Sequence, residues 1–222
     1  MSRSLSGLGL PAVFLLVPIF AALPAVGEAA DWTVEFFVGV PFGFPSSLTI
    51  RQAGQPDIDL RARYETRPFQ KPLYYGWRIG RWTGDRGWEV ELLHDKLYLV
   101  DRPPEVQEFS ISHGFNLATL NRAWERGGVV YRLGAGAVIT HPENTVRGKA
   151  LPQDGGLLGW GYHFSGPTAQ AAAEKKFGVR GDLFLPVEGK VTASFARVPV
   201  EGGSADVPYA AVHGMAGLGA GH

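Results

Sequence analysis

Long segments in which apolar and polar residues alternate run through this chain and limit the folds that it can adopt. In Gly87–Val100, the sequence GWEVELLHDKLYLV places three acidic side chains on one face and apolar side chains on the other. A period of two residues predicts a β-strand, because successive side chains of a strand point to opposite faces. The two faces of each strand must therefore meet surroundings of different polarity. The fold depends on whether the apolar faces point into a protein core or outward into lipid.

Eight segments of this kind follow one another and are separated by turn signals. The predicted strands are Trp32–Phe44, Leu73–Thr83, Gly87–Val100, Ile111–Glu125, Val129–His141, Trp160–Phe177, Asp182–Val198 and Val207–Ala220. Most of them exceed the roughly five or six residues of an ordinary globular strand. Such lengths are typical of strands that cross a membrane at a tilt.

Short and long connections alternate between these strands. Tight glycine-bearing hairpin turns are predicted at Gly84–Gly87, Arg126–Gly128 and Gly178–Gly181. Long or polar loops are predicted at Pro45–Pro72, Asp101–Ser110, Pro142–Gly159 and Pro199–Asp206. This asymmetry is typical of an up-and-down barrel with tight periplasmic turns and long extracellular loops. The first loop holds a further alternating stretch, Ile58–Glu65, which predicts a β-hairpin above the membrane.

If lipid surrounds the barrel, the apolar faces point outward and the polar faces point into the lumen. The inward set then contains Glu35, Arg78, Glu89, Glu91, Arg132, Glu174, Lys176, Glu188 and Lys190. A soluble barrel would instead need an apolar interior. Because isolated buried charges are costly, we expect these groups to pair across the lumen and to close it.

The first thirty residues differ from the rest of the chain. Arg3 precedes an apolar run, Leu10–Val26, and small residues follow it. This pattern predicts a signal peptide over residues 1–30, whose cleavage leaves one barrel domain over residues 31–222. The chain has no cysteine and a formal net charge of zero, which excludes a disulfide framework and gives no indication of nucleic-acid binding. We therefore predict export to the outer membrane of a Gram-negative bacterium.

Several segments resemble small bacterial outer-membrane β-barrel proteins, a group that includes OmpA-like and OmpX-like barrels and the lipid A deacylases. The resemblance is carried by PLYYGWRIGRW, GWEVELLHDKLYL, SHGFNLATLN, YRLGAGAVITHPE and YHFSGPTAQAAAE. It implies an all-β fold, an eight-stranded antiparallel up-and-down transmembrane barrel. The expected partners are outer-membrane lipids, lipopolysaccharide and the barrel assembly machinery, and the expected state is a monomer.

The lipid A deacylases imply a site with a serine, a histidine and a glutamate, set in a His-x-Ser-Asn motif. The nearest match is SHGFN at Ser112–Asn116, in which Phe115 stands in place of the serine. The catalytic candidates are His94, Ser112, His113 and Asn116. Since neighbours on a regular strand point to opposite faces, Ser112 and His113 are predicted not to bond to each other. His94 is expected near this segment, where it would bind a lipid A phosphate with Lys96 or simply lie at the headgroup level.

Three functions remain open at this point. The main hypothesis is a barrel with a closed lumen and a structural, adhesive or lipopolysaccharide-contacting role. The alternatives are a lipid A acyl hydrolase at the outer leaflet and a small-solute channel. His141, His163 and His213 fall on different predicted strands without ligand spacing, so neither a metal site nor a cofactor is predicted.

Overall fold

The computed structural model describes residues 31–221, and its regular structure there is entirely β. The predicted signal peptide, residues 1–30, lies outside the described residues. The strands are β1 (Asp31–Gly43), β2 (Ser46–Gln52), β3 (Ile58–Ala62), β4 (Tyr64–Glu65), β5 (Tyr75–Thr83), β6 (Arg86–Leu99), β7 (Val106–Arg126), β8 (Val129–Thr140), β9 (Glu143–Val146), β10 (Lys149–Ala150), β11 (His163–Arg180), β12 (Leu183–Val200) and β13 (Gly203–Gly221). In this part of the chain no helix has the length and apolar character needed to cross a membrane.

Eight of these strands form a closed ring. Around the ring the order is β1, β5, β6, β7, β8, β11, β12 and β13, and each neighbouring pair is antiparallel. β13 returns to pair with β1, from Thr33 opposite Gly221 to Gly43 opposite Ala211. The prediction of an eight-stranded antiparallel barrel is therefore confirmed. We call the end that holds the turns at residues 84–85, 127–128 and 181–182 the turn end, and the opposite end the loop end.

The barrel exterior carries an apolar band that begins at the turn end. On β12 the outward side chains run from Leu183 through Val191 to Phe195, and each of these three is 40–50% exposed. Other large exposed apolar side chains on the barrel strands include Val34, Val38, Trp77, Ile79, Leu133, Val212 and Leu218. A ring of apolar surface this continuous is stable in hydrocarbon and not in water. The chain is thus a transmembrane barrel.

The polarity of the interior inverts along the barrel axis. Inside the apolar band, β12 points Glu188, Lys190 and Thr192 into the lumen; beyond Phe195 the inward residues become apolar, including Val198, while Arg197 points outward. The prediction of a charged lumen is therefore wrong for the loop-end half, which is filled by an apolar core. The physical reason is the change of outer solvent. Beyond the membrane the exterior meets water, so the interior must bury apolar side chains as in a soluble protein.

Additional short strands enlarge this loop-end core. β2 pairs with β3 as a hairpin and with β13 through residues 49–52, which buries Leu48 and Ile50 completely. The hairpin predicted at Ile58–Glu65 is present, but it pairs β2 with β3. Tyr64 and Glu65 instead form β4 against β6. The extension is thus continuous with the barrel wall.

The same extension explains where the predicted strand boundaries are wrong. β7 begins at Val106 because residues 106–110 pair with β9, and the predicted loop Asp101–Ser110 is shorter than expected. β12 and β13 continue to a tight turn at residues 201–202, where the long loop Pro199–Asp206 was predicted. Trp160 lies in a loop, since β11 begins only at His163. Each difference follows from a pairing partner that is distant in sequence.

Candidate functional sites

The membrane half of the lumen is filled by a salt-bridge network centred on Arg78. The Arg78 guanidinium contacts Glu35 Oε2 at 2.6 Å and Glu174 Oε2 at 2.9 Å through Nη1. Its Nη2 contacts Glu188 Oε2 at 2.6 Å, and its Nε donates to Glu91 Oε2 at 2.9 Å. One buried cation thus joins carboxylates from four different strands.

Arg132 forms the second centre of this network. Its Nε and Nη2 hold both oxygens of Glu89 at 2.5 and 3.1 Å, the fork geometry that suits a guanidinium and a carboxylate. The same side chain also reaches Glu174 at 3.2 Å and Glu188 at 3.0 Å. Lys176 pairs with Glu35 at 3.1 Å, and Lys190 pairs with Glu91 and, at 3.2 Å, with Glu188. All nine charged residues that the sequence analysis placed in the lumen therefore lie in one connected network.

The network is closed at both ends by further side chains. Toward the turn end, Phe184 and Trp82 lie beneath the Lys176 ammonium, whose Nζ is 4.5 and 5.4 Å from their ring centroids. Gly87 makes room for Trp82, because a Cβ at residue 87 would lie 2.7 Å from the indole. Toward the loop end, His213 accepts or donates hydrogen bonds at 2.8 Å to Tyr74 and at 2.9 Å to Thr192. The apolar core begins directly above, so the lumen is occupied along its length.

A second polar cluster lies outside the lumen, at the loop end of the apolar band. The β7 strand bulges there, because Asp95 on β6 pairs with Phe115 while Leu97 pairs with Ile111. Gly114 adopts a φ of +139° within the bulge, a conformation that favours glycine. The bulge changes which face the intervening residues occupy.

The bulge overturns the prediction that Ser112 and His113 cannot meet. Ser112 Oγ lies 3.2 Å from His113 Nδ1, and it also donates to Glu143 Oε2 at 2.5 Å. His113 Nδ1 in turn lies 2.9 Å from Glu143 Oε1. The argument from a regular strand was wrong because three residues of β7 oppose a single one of β6 at this point. A serine, a histidine and a glutamate thus form a compact group at the loop end of the apolar band.

This group does not have the geometry of a nucleophile with its general base. In a triad, one imidazole nitrogen takes the serine proton while the other faces the carboxylate. Here Ser112 and Glu143 both approach Nδ1 of His113. A proton on Nδ1 that is donated to Glu143 leaves no lone pair there for the serine hydroxyl, which is directed to Glu143 in any case.

His94 and Asn116 form a separate contact, as the predicted pairing of their strands implies. His94 Nδ1 lies 2.8 Å from Asn116 Oδ1, and the imidazole stacks on Tyr75 at 5.0 Å between ring centroids. Lys96 is not part of this contact. Its Nζ donates to the backbone oxygens of Arg67 at 2.7 Å and Gln70 at 2.6 Å, and the side chain is fully buried. A loop of the chain itself thus occupies two donors of the cation that the sequence analysis suggested as a phosphate contact.

The loop end also holds a group of three possible metal ligands that the sequence spacing did not predict. His113, His141 and Glu143 each place one possible ligand atom within 4.8 Å of the others. The His113 and His141 ring centroids are 5.1 Å apart, and Tyr162 packs against His141 at 4.9 Å. Burial, followed by the nearby His113, lowers the pKa of His141 below its usual value. The available signal was HPE at residues 141–143, which begins at the last residue of the predicted strand Val129–His141, opposite the glycine of SHGF.

The chain was compared with known proteins, and neither a family model nor a curated protein matches it. Neisserial surface protein A is a similar solved structure at 10% identity and a TM-score of 0.38, over 87% of this chain and 99% of that one. Ail, the attachment invasion locus protein of Yersinia pestis, is similar at 6% identity and 0.35, over 85% and 97%. The outer membrane protein OprG from Pseudomonas aeruginosa is similar at 12% identity and 0.42, over 86% and 96%. All three are small outer-membrane β-barrels, the class that the sequence resembles.

Proposed function

We propose that this protein is a non-conducting barrel of the Gram-negative outer membrane that acts through its extracellular surface, in structural, adhesive or lipopolysaccharide contacts. The observation that carries the proposal is the lumen, which is filled by the charge network in its membrane half and by apolar side chains beyond it. A barrel without an internal path must work at its outer surface. The closed ring leaves no open strand edge in the membrane, which supports a monomer inserted by the barrel assembly machinery.

Conductance separates this proposal from a small-solute channel. The purified barrel is reconstituted in a planar bilayer, and current is recorded across a range of voltages. We expect no reproducible conductance steps, because Arg78 and Arg132 are each held by several carboxylates across the lumen. Discrete steps of constant size that scale with protein concentration would support the channel and refute the closed lumen.

Contact with the outer leaflet is supported by two loops that we call the rim loops, residues 66–74 and 151–162. Each exposes large apolar side chains: Phe69 is 77% exposed, Leu158 69% and Trp160 56%. The first loop lies against outward residues of β6 through Lys96, and the Arg67 guanidinium lies 4.3 Å from the Tyr98 ring centroid. In the second, the Tyr162 hydroxyl donates to the His113 carbonyl at 3.3 Å. Aromatic and apolar groups at this height suit the boundary between headgroups and acyl chains.

A fluorophore on a single introduced cysteine tests this contact, because the chain has no cysteine of its own. The environment-sensitive dye NBD is placed at Leu158→Cys, and at Asp59→Cys on the exposed face of β3 as the matched control. In vesicles that contain lipopolysaccharide, we expect a blue-shifted emission at position 158 and quenching by lipids with brominated acyl chains. Position 59 should resemble the dye in water. Equal emission and equal quenching at the two positions would refute contact of this rim loop with lipid.

The alternative of a lipid A acyl hydrolase has one observation in its favour, the 3.2 Å contact between Ser112 and His113. Against the hydrolase, Ser112 and Glu143 both approach the same nitrogen of His113, Nδ1. Mass spectrometry of lipid A from cells with and without the gene distinguishes the two, and we expect identical acyl chains. Loss of one acyl chain that disappears with Ser112→Ala would establish the hydrolase and displace the non-enzymatic proposal.

A further inference from the structure

We propose that His113, His141 and Glu143 form a site for a divalent transition-metal ion at the loop-end rim, with Zn²⁺ as the best match. The three residues present one ligand atom each within 4.8 Å of one another. Two imidazoles and a carboxylate are a ligand set that zinc binds, while calcium and magnesium prefer oxygen ligands. The proposal is independent of whether the barrel contacts lipopolysaccharide.

The hydrogen bonding of the His141 ring provides the second argument. Its Nδ1 atom is buried and has no hydrogen-bond partner among the described residues. Buried polar side-chain atoms in folded proteins nearly always have a hydrogen-bond partner. We therefore expect this nitrogen to have an interaction partner as well. A metal ion coordinated by the ring would supply the missing interaction directly, or would fix the tautomer in which that nitrogen carries its proton.

The chain packs closely against one edge of the His141 ring, and the other two ligands face solvent. Gly161, at φ +72°, lies next to His141, and a Cβ there would stand 2.6 Å from His141 Nε2. Any larger residue would crowd the imidazole edge. On the other side, the side chain of His113 is 56% exposed and that of Glu143 is 32% exposed, which gives an ion a path of entry from solvent. A water molecule would complete a tetrahedral shell.

Neighbouring groups already orient the ligands. Ser112 Oγ donates to Glu143 Oε2 at 2.5 Å, which fixes one carboxylate oxygen and turns the other toward His113. The His141 amide donates to the Gly114 carbonyl at 3.0 Å, so the β7 bulge and the end of β8 are held together. Such outer contacts are typical of sites in which the ligands are positioned before the metal binds. A bound ion would join β7, β9 and the residue after β8.

The test uses the full barrel refolded in detergent, stripped of metal with a chelator and titrated with Zn²⁺ alone in a calorimeter. We expect one Zn²⁺ per chain. His113→Ala, His141→Ala and Glu143→Gln should each weaken binding by at least about tenfold. The matched control is His163→Ala, which removes an imidazole of the same rim that is not in the ligand set. It should leave the affinity within about twofold of that of the unchanged chain.

Two further measurements report the folding of each variant and the identity of the metal ligands. Heat-modifiable gel migration shows whether each variant has folded, and His113→Ala changes a side chain that is 56% exposed. X-ray absorption of the zinc complex should show nitrogen and oxygen neighbours with the scattering pattern of two imidazoles. The proposal is overturned if the unchanged chain binds no stoichiometric Zn²⁺. It is equally overturned if His163→Ala weakens binding as much as folded His113→Ala does.

Discussion

At the scale of single residues, the stability of the membrane half depends on every charge in the lumen having a partner. Arg78 contacts Glu35, Glu174 and Glu188 directly within hydrogen-bond distance, and all these side chains are fully buried. Replacing one partner of a buried ion pair is far more harmful than replacing the whole pair by apolar groups, because uncompensated charge remains. A substitution of any single member of the network is therefore expected to be strongly destabilising.

Removal of the central cation should show this effect. We expect Arg78→Met to lower the free energy of unfolding by about 3–5 kcal/mol, since several carboxylates lose their partner at once. Urea titration of the barrel in lipid vesicles measures the change. Arg81→Met, on the same strand but partly exposed near the turn end, should cost less than about 1 kcal/mol. Similar losses for both variants would contradict the central role of Arg78.

The outward residues should show a different dependence, on depth in the membrane. Val191 and Leu183 both point outward from β12, Val191 toward the middle of the apolar stretch and Leu183 at its turn end. We expect Val191→Arg to cost about 2–4 kcal/mol and Leu183→Arg about 0–1 kcal/mol, because an arginine near the interface reaches water. The same urea titration compares them. A larger cost at Leu183 would contradict the position of the band.

At the scale of elements, the β7 bulge decides what the rim can do. It brings Ser112 and His113 to Glu143. Sequence periodicity predicted the strand here but assumed regular alternation along it. A bulge changes the face of the residues beyond it without leaving a mark in composition, apart from a glycine at the strained position. That is why the contact between Ser112 and His113 was missed.

Gly114 is the residue on which the bulge depends. Its φ of +139° is unfavourable for other residues, and a Cβ there would clash with the Asn116 amide. We expect Gly114→Ala to cost about 1–3 kcal/mol and to displace the Asn116 side chain from His94. Urea titration measures the first effect, and the NMR signal of the Asn116 side-chain amide reports the second. Gly189→Ala, with open space around the added Cβ, is the control; an equal loss there would contradict the bulge argument.

At the scale of the whole molecule, the sequence predicts most of the barrel because alternation is a local signal. The eight strands, their order and the inward direction of residues such as Glu89 and Lys190 follow from the period of two and the tight turns. The position along the barrel axis at which the membrane ends does not follow from these signals. That position is set by the outer solvent, and β12 alternates just as regularly where Lys190 points inward as where Val198 does. The loop-end core also needs partners distant in sequence, such as β2 against β13.

The distribution of side chains implies that lipid surrounds one half of this barrel and water the other, with the interior polarity opposite in each. Nitroxide labels on single introduced cysteines test it along β12 in lipid vesicles, at positions 187, 191 and 195 and at Arg197. Collision rates with oxygen, which concentrates in lipid, and with a water-soluble nickel complex are measured at each position. We predict that oxygen dominates at 187, 191 and 195 and that nickel dominates at 197. Nickel collisions as frequent at 191 as at 197 would show that water, and not lipid, surrounds the middle of β12.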